Sequence, residues 1–132
     1  MKKLLAVILC LYTLTLHSCY QSNAISFEIN EQSIKSSNNK GIEHLYIKND
    51  SASETYSILW TNEIKNAPKN VTLSFRDTSY KIFKGWNNKQ ILNTDFKLNP
   101  HSKYIIERVQ GDASAYKIQV WTDENGNVFK VS

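Results

Sequence analysis

Short β-rich runs separated by turn residues set the strongest limit on what this chain can fold into. Val71-Thr72-Leu73-Ser74-Phe75-Arg76 alternates apolar and polar side chains without a break. That period of two puts one face of a strand in a core and the other in water. Thr55–Thr61 reads the same way, with Tyr56, Ile58 and Trp60 on one face. Ser26–Asn30, Ile42–Lys48, Tyr80–Lys84, Tyr104–Val109, Ala115–Thr122 and Val128–Val131 are further β-rich runs. Between them lie Lys35–Gly41, Asn49–Ser53, Asn66–Asn70, Asp77–Ser79, Gly85–Lys89 and Gln110–Asp112, read as loops and turns by composition. Asn125-Gly126 predicts a two-residue hairpin turn with φ > 0 at both positions. No window carries a convincing helical period. Strands at this spacing predict an all-β fold, an antiparallel sandwich, with residues 25–132 as its single domain.

The first residues are of another kind. Lys2 and Lys3 precede a run of 13 residues, Leu4 to Leu16, that is apolar apart from Tyr12, Thr13 and Thr15. At about 1.5 Å per residue this is too short to span a bilayer core as a helix. A basic start and a short apolar run predict an export signal over residues 1–18, followed by a tether over 19–24. Leu16-His17-Ser18-Cys19 resembles a bacterial lipobox: aliphatic, then a small residue directly before the cysteine. The resemblance implies that Cys19 receives a lipid, that cleavage falls before it, and that the chain is held at the cell membrane or outer membrane. His17 departs from the small or hydroxyl residue usual at its position. Ser22-Asn23-Ala24 offers an alternative cleavage site, which would release a soluble secreted or periplasmic chain starting at Ile25. An uncleaved membrane anchor is the third outcome.

Without residues 1–18 the chain keeps 114 residues, enough for one domain with a core of its own. Lys2 and Lys3 leave with the leader, so 14 basic side chains face 12 acidic ones and the net charge falls from +4 to +2. The lysines are scattered, and no basic run of the kind that tracks phosphates is present, which excludes nucleic acid as the expected partner. The two cysteines are Cys10 and Cys19. No disulfide can therefore staple the domain, and Cys19 is the one thiol left in a chain cleaved before it.

Leu98-Asn99-Pro100-His101-Ser102-Lys103-Tyr104-Ile105-Ile106 resembles the E–F corner of fibronectin type III domains, L-x-P-x-(T/S)-x-Y-x-(V/I). Leu98, Pro100, Ser102, Tyr104 and Ile106 fit that pattern. Ser57-Ile58-Leu59-Trp60 is similar to the strand of that family that carries its buried tryptophan. The resemblance implies an immunoglobulin-like sandwich with a tyrosine corner, in which the ring packs in the core and the hydroxyl bonds backbone upstream. It implies a binding or spacer module and no catalytic residues. The run before Lys35 and the hairpin after Asp123 lie outside the family pattern.

Little in the chain points to chemistry. His44 and His101 have no Cys partner and no H-x-x-x-H spacing, so no metal site is predicted. No serine sits in G-x-S-x-G, and four glycines leave little room for a phosphate loop. Asp123-Glu124-Asn125-Gly126-Asn127 presents oxygen donors, but a calcium loop needs Gly sixth and Glu twelfth; the stretch reads as a hairpin turn. No cofactor and no enzyme activity is expected. Trp86, inside a loop, and Trp121, out of phase with Ile118 and Val120, are candidate platforms for a protein partner or a sugar ring, unless they cover the edge of the sandwich. The expected function is non-catalytic. The first reading is a lipid-anchored envelope protein acting as a protein-interaction module, for example an immunity or assembly factor. A carbohydrate-binding module and a secreted sandwich without lipid are the alternatives.

Overall fold

The structure, a computed structural model, describes residues 2–7, 22–50 and 54–132. Residues 2–7 are helical and exposed, while the lipobox Leu16–Cys19 lies outside the described residues. Among the described residues no helix is long and apolar enough to cross a membrane. Among the described residues there are ten strands: β1 Ile25–Glu28, β2 Ser33–Ser36, β3 His44–Asn49, β4 Thr55–Trp60, β5 Asn70–Thr72, β6 Tyr80–Lys84, β7 Lys89–Ile91, β8 Lys103–Arg108, β9 Tyr116–Thr122 and β10 Val128–Val131.

They form two sheets, ordered β1-β2-β5 and β10-β9-β8-β3-β4-β6-β7. All pairs are antiparallel. Alternation decides which side of each strand is dry: Leu45 and Ile47 of β3 are buried while His44, Tyr46 and Lys48 face outward. Ile25, Ile34 and Val71 of the small sheet share one core with Leu45, Ile47, Ile58, Ile82, Ile106 and Val120 of the large one. The chain is thus a β-sandwich, as its alternating runs predict. A row of rings extends the core beyond the aliphatics. Phe75 and Phe96 lie 5.3 Å apart, Tyr56 and Phe96 5.0 Å, and Trp60 and Tyr80 4.9 Å, all edge to face. Trp60 is only partly buried against this core, because its indole N–H donates to the exposed carbonyl of Lys65 at 2.9 Å.

The registers define two ends. His44 pairs with Leu59, Trp60 with Tyr80, and Arg108 with Tyr116 at the end where the chain enters the sandwich, called proximal below. Lys48 pairs with Thr55, Lys84 with Lys89, and Lys103 with Trp121 toward the distal end. The proximal end is closed by the chain start. Asn23 is buried and its amide donates to Ala113 O and Ser114 O, while Ser37 N–H donates to Ala24 O. Asn23 and Ala24, at the end of the stretch read as tether, are therefore fastened to the domain. Between the two sheets Gln32 acts as a clasp. Its amide donates to Val128 O at 2.9 Å and accepts Val128 N–H at 2.8 Å, occupying the free edge of β10.

Four local expectations are corrected. Ser33–Ser36 is a strand, the centre of the small sheet, although Lys35 was expected to begin a loop; Ile34 is its single large apolar side chain, and pairing with β1 on one edge and β5 on the other holds it in place. The run Val71–Arg76 leaves the sheet after Thr72: Phe75 N–H donates to Thr72 O, and Phe75 sits at φ 44. Its alternation continues as burial without continuing as strand, because Phe75 drops into the ring cluster. Lys89 belongs to β7, so the loop is Gly85–Asn88. The Asn125-Gly126 hairpin exists, but only Gly126 has positive φ, at 81. Gly126 N–H donates to Asp123 O and Asp123 N–H donates to Asn127 O, which makes a longer loop of the kind built on an αL glycine after a tight turn.

Candidate functional site

The distal hairpin is the most exposed aromatic feature of the domain. Gly85, at φ 72, and Asn88, at φ 49, let four residues reverse the chain between β6 and β7. Asn88 N–H donates to Gly85 O at 3.3 Å, and Gly85 N–H donates to Thr55 O at 2.8 Å, tying the turn to the start of β4. Trp86 rides on this turn at 101 % exposure. It does not cover a sheet edge. The indole instead walls a shallow cleft of about 470 Å³ with Tyr46, Thr55, Ser57, Gly85 and Asn88.

The sheet beside this cleft is polar and aromatic. Tyr46 and Ser57 are cross-strand partners, so both side chains share the outer face. His44 stacks obliquely on Tyr46 with centroids 4.5 Å apart, and its Nε2 lies 3.3 Å from Ser57 Oγ. Partial burial pushes the His44 imidazole below its ordinary pKa and keeps it neutral near pH 7. The arrangement offers hydroxyl, amide and imidazole hydrogen-bonding groups around an apolar ring.

Trp121 differs from Trp86. Its ring is half-buried and has Lys103 Nζ at 5.7 Å and Lys130 Nζ at 4.6 Å from its centroid. Those cations already occupy it. Four strand spacings separate β9 from β6 in the sheet order, about 19 Å, so the structure does not bring Trp86 and Trp121 into one site.

The corner residues come together around one bond. Tyr104 is fully buried, and its hydroxyl accepts the Asn99 N–H at 2.8 Å. Thr122 secures the same loop from the far side: its hydroxyl donates to Asn99 O at 2.6 Å and accepts Ser102 N–H at 2.9 Å. Leu98 is buried beneath, while Pro100 and His101 turn the chain in water, His101 at φ 50. This is structural work, and it leaves His101 on the surface.

The group that the sequence reading missed is Arg108. It is fully buried at the proximal end, beside a cleft of about 530 Å³. Nε–H donates to Gln110 Oε1 at 3.0 Å; the terminal nitrogens donate to Ser36 Oγ at 2.9 Å, Gly41 O at 3.1 Å, Lys40 O at 3.3 Å and Ala24 O at 3.5 Å. Burial lowers its pKa, and Glu43 nearby opposes that shift. All five donors are directed at the protein, so Arg108 serves as a clamp on the loops around it. The signal that could have found it was phase: Tyr104 and Ile106 point inward on β8, and 108 follows them. Among the described residues no group of three or more His, Cys, Asp or Glu side chains is placed to hold a metal ion. No protein-family model matches the chain, and neither the curated proteins nor the solved structures contain a match to it.

Proposed function

We propose that this chain is an exported, lipid-anchored binding protein of the cell envelope, with Cys19 carrying the lipid and the distal Trp86 engaging a protein partner without catalysis. The observation that carries the binding reading is Trp86 itself, wholly in water on a turn fixed by two backbone hydrogen bonds. A turn held this way loses little backbone freedom on binding, and tryptophan is the side chain most often found at the energetic centre of interfaces.

The seat of Asn23 supports cleavage before Cys19. Cleavage after Ala24 would remove the Asn23 bonds to Ala113 and Ser114 and the carbonyl that Ser37 N–H uses. It would also set a charged amine on Ile25, which is 3 % exposed. The Tyr104–Asn99 bond supports placing the sandwich in the immunoglobulin-like class. A glycan is the second reading, favoured by the hydroxyl and amide groups of Tyr46, Thr55, Ser57 and Asn88 beside the indole. The test is a photo-crosslinking residue at position 87, the exposed neighbour of Trp86 on the same turn, in envelope fractions, read by mass spectrometry, with a glycan array in parallel. Trp86→Ala is expected to weaken capture by on the order of tenfold or more. Full capture of the same partner by Trp86→Ala would sink the assignment of the site.

A further inference from the structure

The proximal end carries a second large apolar side chain in water, Ile64, 99 % exposed. Its loop is not slack. Asn62 Oδ1 accepts the backbone N–H of both Ile64 and Lys65 at 3.0 Å, Thr61 Oγ1 donates to Ser79 O at 2.8 Å, and Trp60 Nε1–H donates to Lys65 O. Asn62 thus holds Ile64 at the tip of a closed turn. The same end receives the chain from its start. The proximal cleft is lined by Ser22 and Asn23 on one side and by Asn66, Ala67 and Lys69 of the Ile64 loop on the other. Ile42 N–H donates to Pro68 O, which fastens the 66–69 wall to the Gly41–Glu43 segment that also lines the cleft.

Chain length then fixes where this end can be. Ser22 lies three positions after Cys19, a span of at most about 11 Å when fully extended. A lipid on Cys19 cannot leave the proximal end far from the bilayer. We propose that the proximal end rests on the lipid surface with the Ile64 side chain seated in the boundary between headgroups and acyl chains. This rests on the Cys19 anchor proposed above. Charge is not its basis: Lys40, Lys65 and Lys69 in these loops are matched by Glu43, Glu63 and Asp112. The six residues of β4 run from the proximal to the distal end, about 20 Å, so Trp86 is held out in the aqueous phase, facing whatever the protein binds.

No thiol follows Cys19, and a lipidated Cys19 is blocked, so single cysteines report one place each. Ile64→Cys and Trp86→Cys are made in the full chain, labelled with an environment-sensitive fluorophore, and the purified lipidated proteins are reconstituted into phosphatidylethanolamine–phosphatidylglycerol vesicles with and without spin-labelled lipid. Mass spectrometry of the N-terminal peptide reads the state of Cys19. The expected result is a blue-shifted label at 64 that loses its emission to spin-labelled lipid, and a label at 86 that does neither. A lipidated Cys19 with the position-64 label in water overturns the orientation and leaves the anchor standing. A blue-shifted label at 64 that spin-labelled lipid does not quench assigns the loop to a protein contact and also overturns it. An unlipidated Cys19 overturns the anchor and the orientation together.

Discussion

Tyr104→Phe isolates a single bond. The ring is fully buried, so the substitution keeps its volume and opens no cavity. What goes is the acceptor for Asn99 N–H, at 2.8 Å. Asn99 as a residue is exposed, so water reaches part of the vacated group and the loss belongs in the lower half of the range for an unmet donor, about 1–2 kcal/mol. At roughly 4 °C per kcal/mol for a domain of this size, the melting temperature should fall by about 4–8 °C. Thr122→Val acts on the same residue at its carbonyl, where the Thr122 hydroxyl donates at 2.6 Å. Chemical denaturation of the two single variants and the double variant completes a cycle. Because both bonds hold the backbone of one residue, Asn99, the cycle should show a coupling of at least about 0.5 kcal/mol. Strict additivity, or a Tyr104→Phe protein that melts within about 1 °C of the parent, would refute the idea that this corner is held as a unit.

Arg108→Met should lower stability by about 2 kcal/mol in urea unfolding: three bonds of 2.9–3.1 Å are lost, and the recovered hydration of a buried guanidinium offsets part of that. Gly41→Ala should be worse, reducing the yield of folded protein, because a Cβ there would overlap the Ala67 carbonyl oxygen and backbone cannot rotate aside. His44 sets a pH dependence. Its folded-state pKa lies below the ordinary 6.5, so the unfolded chain takes up the proton first. Its contribution is complete above pH 6.5 and declines as pH falls through the folded-state value; His44→Gln should flatten that part of a stability–pH curve.

The strands that bury alternate large side chains were legible: β4, β6, β8 and β9 all fall on runs whose period of two is plain in the sequence. The small sheet was harder, since β2 offers only Ile34 as a visible signal and gains its place from neighbours on both sides. Val71–Arg76 shows the reverse failure. Local alternation was followed by burial, but a turn at Thr72–Phe75 satisfied the pattern as well as a strand would. Trp86 was recognisable as a loop tryptophan, whereas the cleft beside it draws Tyr46 from β3 and Thr55 and Ser57 from β4, residues that only register brings near. Arg108 escaped because its acceptors on Ala24, Ser36, Lys40 and Gly41 lie 67 to 84 positions away in the chain.

The clasp between Gln32 and Val128 has a consequence for how the molecule is made. It joins positions 96 residues apart, and the seat of Asn23 on Ala113 and Ser114 spans 90 and 91. The middle of the large sheet has the same character, since β3 finds β8 only after the intervening strands have been laid down. Folding of high contact order is slow. A chain delivered N-terminus first can close its local hairpins β1–β2 and β3–β4 early, but Asn23, Gln32 and the second edge of β3 must wait for the C-terminal strands. Any carrier that moves this chain across a barrier gains time from that delay, because the sandwich cannot close ahead of its own tail.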